Sequence, residues 1–209
     1  MERREAVKYI SILLGGAVIG ADAFLSGCKT KTGSKTDWTE EDVAFLNEVG
    51  ETILPRTTTP GAKDANVGKF MTTMVNDCYL ESDQKVFREG LDKLNEASKT
   101  KFDNSFMKIS PQQRQQLLTE LDKEAKDYQK KVNDFNSVEN KKDKDEKDKG
   151  NLNYVKQHMS PHYFFMMKQL TLLGFFTSKE GMTQAVRYLP VPGRYEGDVP
   201  YKKGDKLIV

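Results

Sequence analysis

S-P-H-Y-F-F-M-M-K-Q-L-T-L-L-G-F-F-T-S-K-E-G-M-T-Q-A-V-R-Y-L-P-V-P-G-R-Y-E-G-D-V-P-Y, from Ser160 to Tyr201, carries an apolar segment with no polar face. Tyr163, Phe164, Phe165, Met166, Met167, Leu170, Leu172, Leu173, Phe175 and Phe176 are broken mainly by Lys168, Gln169 and Thr171. A soluble helix that is apolar all round has to be wrapped by other elements. Ser160 suits a helix cap and Pro161 the first helical position, where a missing N–H costs nothing. The spacing therefore predicts a buried C-terminal helix that starts there.

The segments upstream have the single apolar stripe a wrapper needs. Thr39, with Glu40, Glu41 and Asp42 in the first turn, predicts a helix start favoured by the helix dipole; Val43, Leu46, Val49 and Ile53 form its stripe and Pro55 ends it. Asn66 to Leu80 reads as a second helix with Val67, Phe70, Met71, Met74, Val75 and Cys78 on one face. Ser82 to Lys99 gives a third, with Val86, Phe87, Leu91 and Leu94 inward. Ser110-Pro111-Gln112-Gln113 is a capping box that opens a fourth, followed by Leu117, Leu118, Leu121, Ala125, Tyr128 and Val132. Residues 136–150, N-S-V-E-N-K-K-D-K-D-E-K-D-K-G, have no apolar anchor after Val138 and read as a solvated loop or frayed helix end. Ser178 to Tyr188 reads as a short helix, and Pro190, Pro192 and Pro200 fix an irregular tail. The predicted fold is all-α: a single bundle of five to six helices around the buried C-terminal helix, with a Pro-rich tail.

Two blocks carry a family resemblance. L-T-L-L-G-F-F-T-S-K-E-G-M-T-Q-A-V-R-Y-L-P-V-P-G-R-Y, together with I-L-P-R-T-T-T-P-G-A-K-D-A-N-V from Ile53 to Val67 and the Asp77-Cys78-Tyr79 helix end, resembles the gluconate 2-dehydrogenase subunit 3 family. Arg56 departs from the small residue of the pattern, and the charged run near 140–149 resembles a local insertion. The resemblance implies a small non-catalytic subunit that binds no redox centre itself. It implies a large FAD-dependent dehydrogenase as partner, acting on gluconate or a related sugar or sugar acid, and often a c-type cytochrome subunit carrying haem.

The N-terminal region reads as targeting rather than fold. Arg3, Arg4 and Lys8 precede an apolar run from Tyr9 to Ala21, too short to span a bilayer. Leu25-Ser26-Gly27-Cys28 resembles a bacterial lipobox, so residues 1–27 read as a lipoprotein signal peptide and Cys28 as the lipidated residue. The arginines fit either a twin-arginine export signal or a plain basic start. Residues 28–37 are a polar tether, and 38–209 the helical domain. The expected location is the periplasmic side of a bacterial membrane, held by lipid.

Composition narrows the function classes. Charged residues make up 31% of the 209-residue chain, but the signs nearly cancel, at net +2. No basic stripe with interleaved aromatics exists, so nucleic acid is not an expected partner. The sequence lacks G-x-G-x-x-G, C-x-x-C-H and G-x-S-x-G, and no nucleophile, base or cofactor ligand is nominated. His158 and His162 have a metal-compatible spacing, but Ser160-Pro161 separates them; His162 reads as a hydrogen-bonded structural histidine. Cys78 reads as a small buried side chain. Thr57, Thr58 and Thr59 read as a turn bonding its own backbone.

The candidate partner-binding residues are Phe175, Phe176, Arg187, Tyr188, Pro190, Pro192, Arg194 and Tyr195. Arg and Tyr are enriched at binding hot spots, and a proline-fixed backbone presents them at low entropic cost. The alternative function is a stand-alone lipoprotein that binds a ligand or a carbohydrate-processing partner.

Overall fold

The computed structural model describes residues 37–191, 193, 194, 198, 200 and 202–206. Among them are five α-helices and no β-sheet. They are α1 Glu40–Ile53, α2 Val67–Cys78, α3 Glu81–Phe102, α4 Pro111–Asp148 and α5 Tyr163–Phe176, with a 3-10 turn at Phe106–Lys108 and a π-helical turn at Gly181–Ala185. The all-α bundle read from the sequence is the observed one.

Helix starts follow the local chemistry. The Thr39 hydroxyl accepts the Asp42 N–H (3.1 Å) while the Asp42 carboxylate accepts the Thr39 N–H (3.0 Å), which closes a capping box on α1. Ser110 and Gln113 do the same for α4. α5 begins two residues later than Ser160-Pro161 suggested. His162, not Ser160, is its cap: its Nδ1 accepts the Phe164 N–H (3.2 Å). An imidazole nitrogen thus takes the place expected of a hydroxyl.

α5 packs on all four other helices. Tyr163, Phe164, Met166, Met167, Leu170, Thr171 and Phe175 are buried along it. Leu46 and Val49 of α1, Val67, Met71 and Val75 of α2, and Phe87, Leu91 and Leu94 of α3 close around them with Leu117, Leu118 and Leu121 of α4. Each large side chain so buried contributes about 1.5–3 kcal/mol. Close contact between α3 and α5 needs Gly90, because a Cβ there would lie 2.5 Å from the Tyr163 Cβ. Burial, with the charge of Glu124, pushes the Tyr163 phenol up to about 12, so it stays neutral. Trp38 packs edge-on to Phe87 beneath the Arg88 guanidinium, and ties the start of the domain to α3. No helix among the described residues is long and apolar enough to cross a membrane.

Residues 136–150 depart from the loop reading. α4 runs on for 38 residues to Asp148, about 57 Å at 1.5 Å per residue. Val138 is exposed, so no apolar side chain holds this end. A polar anchor does. Glu139 is only 1% exposed, and its carboxylate accepts from Lys142 Nζ (2.8 Å), the Tyr154 hydroxyl (2.9 Å) and the Gln157 N–H (3.2 Å). Lys147–Asp143 adds an i,i+4 pair. The chain after α4 is thereby fastened back along the helix.

This anchor is acid-sensitive. The bond from Lys142, then that from Tyr154, holds the Glu139 carboxyl below its ordinary value. A lowered carboxylate pKa lends stability that is full above the unfolded value and lost as pH falls through the folded one. Hydrogen exchange should show amide protection at Gln157 fading below about pH 4 while Leu170 stays protected. Glu139→Ala should abolish the Gln157 protection at neutral pH. Full protection in that variant would contradict the anchor.

Cys78 is also corrected. Its thiol is exposed, at the last turn of α2 and 4.0 Å from Met74 Sδ. The buried line of α2 includes Val67, Met71 and Val75, and Cys78 at its end is exposed.

Candidate functional site

α1 ends at Ile53, and the following loop is held by two carboxylates. Glu51 accepts the Arg56 N–H (2.8 Å) and the Lys63 N–H (3.0 Å). Asp64 accepts the Gly61 N–H (2.8 Å) and the Arg56 Nε–H (2.8 Å), and a second guanidinium nitrogen closes a bidentate pair. The Arg56 bond lowers the Asp64 pKa, and Asp64 in turn raises that of Arg56. Arg56, the departure from the family pattern, is thus the cation that fixes the loop. Thr57 N–H donates to the Thr59 carbonyl (3.0 Å), so the threonine turn bonds itself, as its composition suggested; Thr57 and Thr58 are nevertheless exposed and Thr59 is half-buried.

The second block opens at Ser178 as predicted, but its helical turn is of π type and ends at Ala185 rather than Tyr188. Ser178 Oγ donates to the Phe175 carbonyl (2.7 Å) and accepts the Gly181 N–H (3.0 Å). The chain then makes a single π-helical turn, closed by Val186 N–H to Gly181 O (3.0 Å). Gly181 is buried where a Cβ would lie 2.0 Å from the Phe175 carbonyl oxygen. Any side chain there forces the turn open.

The two blocks, far apart in sequence, meet at a cleft of about 430 Å³. Arg56, the Thr57–Pro60 turn and Asp64 form one wall, Glu180 and Gln184 the other. Lys206 returns to this region and donates to the Gln184 carbonyl (2.6 Å). Neither Glu180 nor Gln184 was nominated from sequence, although both lie inside the block that carries the resemblance.

The nominated tail residues fall into three groups. Phe175 is 4% exposed and belongs to the core, with its ring edge-on to Phe176 at 5.2 Å. It is not part of the surface. Phe176, Arg187, Tyr188, Pro190 and Arg194 are exposed. Pro192, Tyr195, Cys28, Arg3, Arg4 and Lys8 lie outside the described residues, as do the signal segment and all of the tether but Asp37. Val186 is buried and anchors the start of the tail. Leu173, Leu189 and Val191, which residue type alone did not single out, are also exposed; Val191 is 78% so. This end of the bundle is not sealed against its own body.

The two histidines serve different helices. His158 Nε2 bonds Asp83 of α3 at 2.8 Å. His162 Nε2 faces Glu124 of α4 at 3.7 Å, and burial lowers its pKa despite that charge, which keeps the capping ring neutral. A second, smaller recess of about 200 Å³ lies between Cys78, Tyr79 and Leu80 at the end of α2 and Phe165 and Met166 of α5.

Comparison with curated proteins and with solved structures gives no match. A family model described as gluconate 2-dehydrogenase subunit 3 matches residues 40–193, which span every helix described above, the cleft and the start of the tail. The chain belongs to the gluconate 2-dehydrogenase subunit 3 family.

Proposed function

We propose that this chain is a non-catalytic accessory subunit of a membrane-associated, FAD-dependent dehydrogenase that oxidises gluconate or a related sugar or sugar acid. On this reading FAD, and the haem of any c-type cytochrome subunit, belong to the partners. This chain stabilises the flavoprotein, accompanies it during export and holds it at the membrane through lipid on Cys28.

The observation that carries the reading is the meeting of the two blocks at one exposed end. There a rigid polar cleft adjoins the start of a tail that leaves Tyr188, Leu189 and Val191 uncovered. Nothing in bundle packing requires those side chains outside. Exposed apolar and aromatic groups on a stiff backbone are what a protein partner desolvates.

The test is co-purification. The tagged chain, expressed in its own cells, should recover a flavin-containing dehydrogenase subunit. Arg187→Ala with Tyr188→Ala should weaken that recovery at least about tenfold, the scale of a hot-spot loss, without lowering the melting temperature, because both side chains are exposed. A wild-type chain that recovers no flavoprotein and behaves as a lone monomer would instead favour a stand-alone lipoprotein.

A further inference from the structure

Among the described residues, carboxylates that the fold partly covers have partners. Glu48 holds Arg114 and Lys63, Asp64 holds Arg56, and Asp83 holds His158. Asp122 holds Lys168 and Lys126, Glu139 holds Lys142 and Tyr154, and Glu51 accepts two backbone N–H groups. Glu180 is the exception. It is partly buried on the wall of the cleft and has no hydrogen bond or ion pair with any described residue. Lys206, whose ammonium group bonds the Gln184 carbonyl, does not line the cleft. Neighbouring Lys179 is exposed and does not line the cleft.

The rest of the cleft adds no net charge: Arg56 and Asp64 neutralise each other, and the threonines, Pro60 and Gln184 are neutral. Among its lining residues the cleft therefore has one negative charge without an ion-pair partner, hydroxyl and amide groups that can accept further N–H bonds, and one wall fixed by the Glu51 and Asp64 networks.

We infer that this cleft takes up a cationic side chain, arginine or lysine, of the dehydrogenase subunit, with Glu180 as its counter-charge. The inference rests on the accessory role proposed above and names the chemistry of the contact. Like charge on the partner would be rejected here, so the cleft also fixes register.

The experiment uses the flavoprotein subunit recovered with the wild-type chain, rebound to purified wild-type, Glu180→Gln and Glu180→Lys chains at low and high salt. Glu180→Gln should weaken binding about tenfold or more at low salt and flatten its salt dependence. Glu180→Lys should weaken it further, and a partner arginine or lysine changed to glutamate should restore it. Both variants should melt no lower than wild type, since Glu180 holds no described residue. Unchanged affinity and salt dependence in Glu180→Gln overturns the inference and leaves the accessory role standing. Weakened binding that comes with a lowered melting temperature in both variants also overturns it, because Glu180 is then structural. Recovery of no flavoprotein by the wild-type chain overturns the accessory role and this inference together.

Discussion

Phe164→Ala should cost the domain about 3–5 kcal/mol. Phe164 is 2% exposed and sits near the start of α5, where the other helices close over it. Its removal forfeits the transfer of a whole ring from water and leaves a cavity that rigid neighbours cannot collapse. For a domain of this size the melting temperature should fall by about 10 °C. Phe176→Ala is the matched control. It removes the same ring from the same helix at a position 42% exposed, and should change stability by less than about 1 kcal/mol. Similar losses for both would mean that α5 is not enclosed as described.

Arg114→Ala should cost about 2–4 kcal/mol. The Arg114 side chain is 12% exposed and bridges three elements. Its Nε–H donates to the Phe106 carbonyl (3.0 Å), a second nitrogen to the Met107 carbonyl (2.8 Å), and a third pairs with Glu48 of α1. Removing it strands two carbonyls at the 3-10 turn and leaves Glu48 with Lys63 alone. The pair also has a pH signature. Burial pushes the Glu48 carboxyl up, but the bond from Lys63 and the charges of Arg114 and Lys63 outweigh it, and its pKa ends below the ordinary 4.5. The stability Glu48 lends is therefore full above that ordinary value and lost as pH falls through the lowered one. The gap between wild type and Arg114→Ala should accordingly narrow on acidification below about pH 4.5. Urea melts at neutral and acid pH read both effects, and a gap that widens in acid would contradict the assignment.

What the sequence made legible was whatever rests on local chemistry or on a long apolar pattern. Thr39 and Ser110 announce their helices because a hydroxyl followed by an acceptor three residues on is a complete cap in itself. The enclosed character of α5 is visible because apolar groups on every face leave no other placement. Residues 136–150 misled because their anchor is polar. Glu139 is fixed by Tyr154 and Gln157, and no periodicity reports a carboxylate that waits for donors further along the chain. The start of α5 misled for a related reason, since Ser160 is the better cap by type but His162 has the reach. Cys78 fell on the apolar stripe, yet it borders an open recess beside Phe165 and Met166 and is exposed.

The candidate site was half legible. Arg187, Tyr188 and Pro190 were nominated by residue type, and they are exposed. Phe175 was nominated with Phe176, and only packing could show that one ring is buried and its neighbour is not. The cleft could not be read at all. Its walls come from Arg56–Asp64 and Glu180–Gln184, and their meeting depends on how α1 and α5 pack in the bundle. The sequence did hold one hint: Arg56 stands where a small residue was expected, and a new cation in a turn needs a carboxylate, which Asp64 supplies.

The central claim is that this helical domain exists to hold a flavoprotein. Its most direct test is size-exclusion chromatography of the tagged chain gently extracted from its own cells, followed by flavin absorbance. The expected result is one peak larger than the chain alone, containing flavin and a dehydrogenase subunit in a fixed ratio to this chain. A flavin-free peak at the mass of the single chain, from cells in which the dehydrogenase is present, would contradict it.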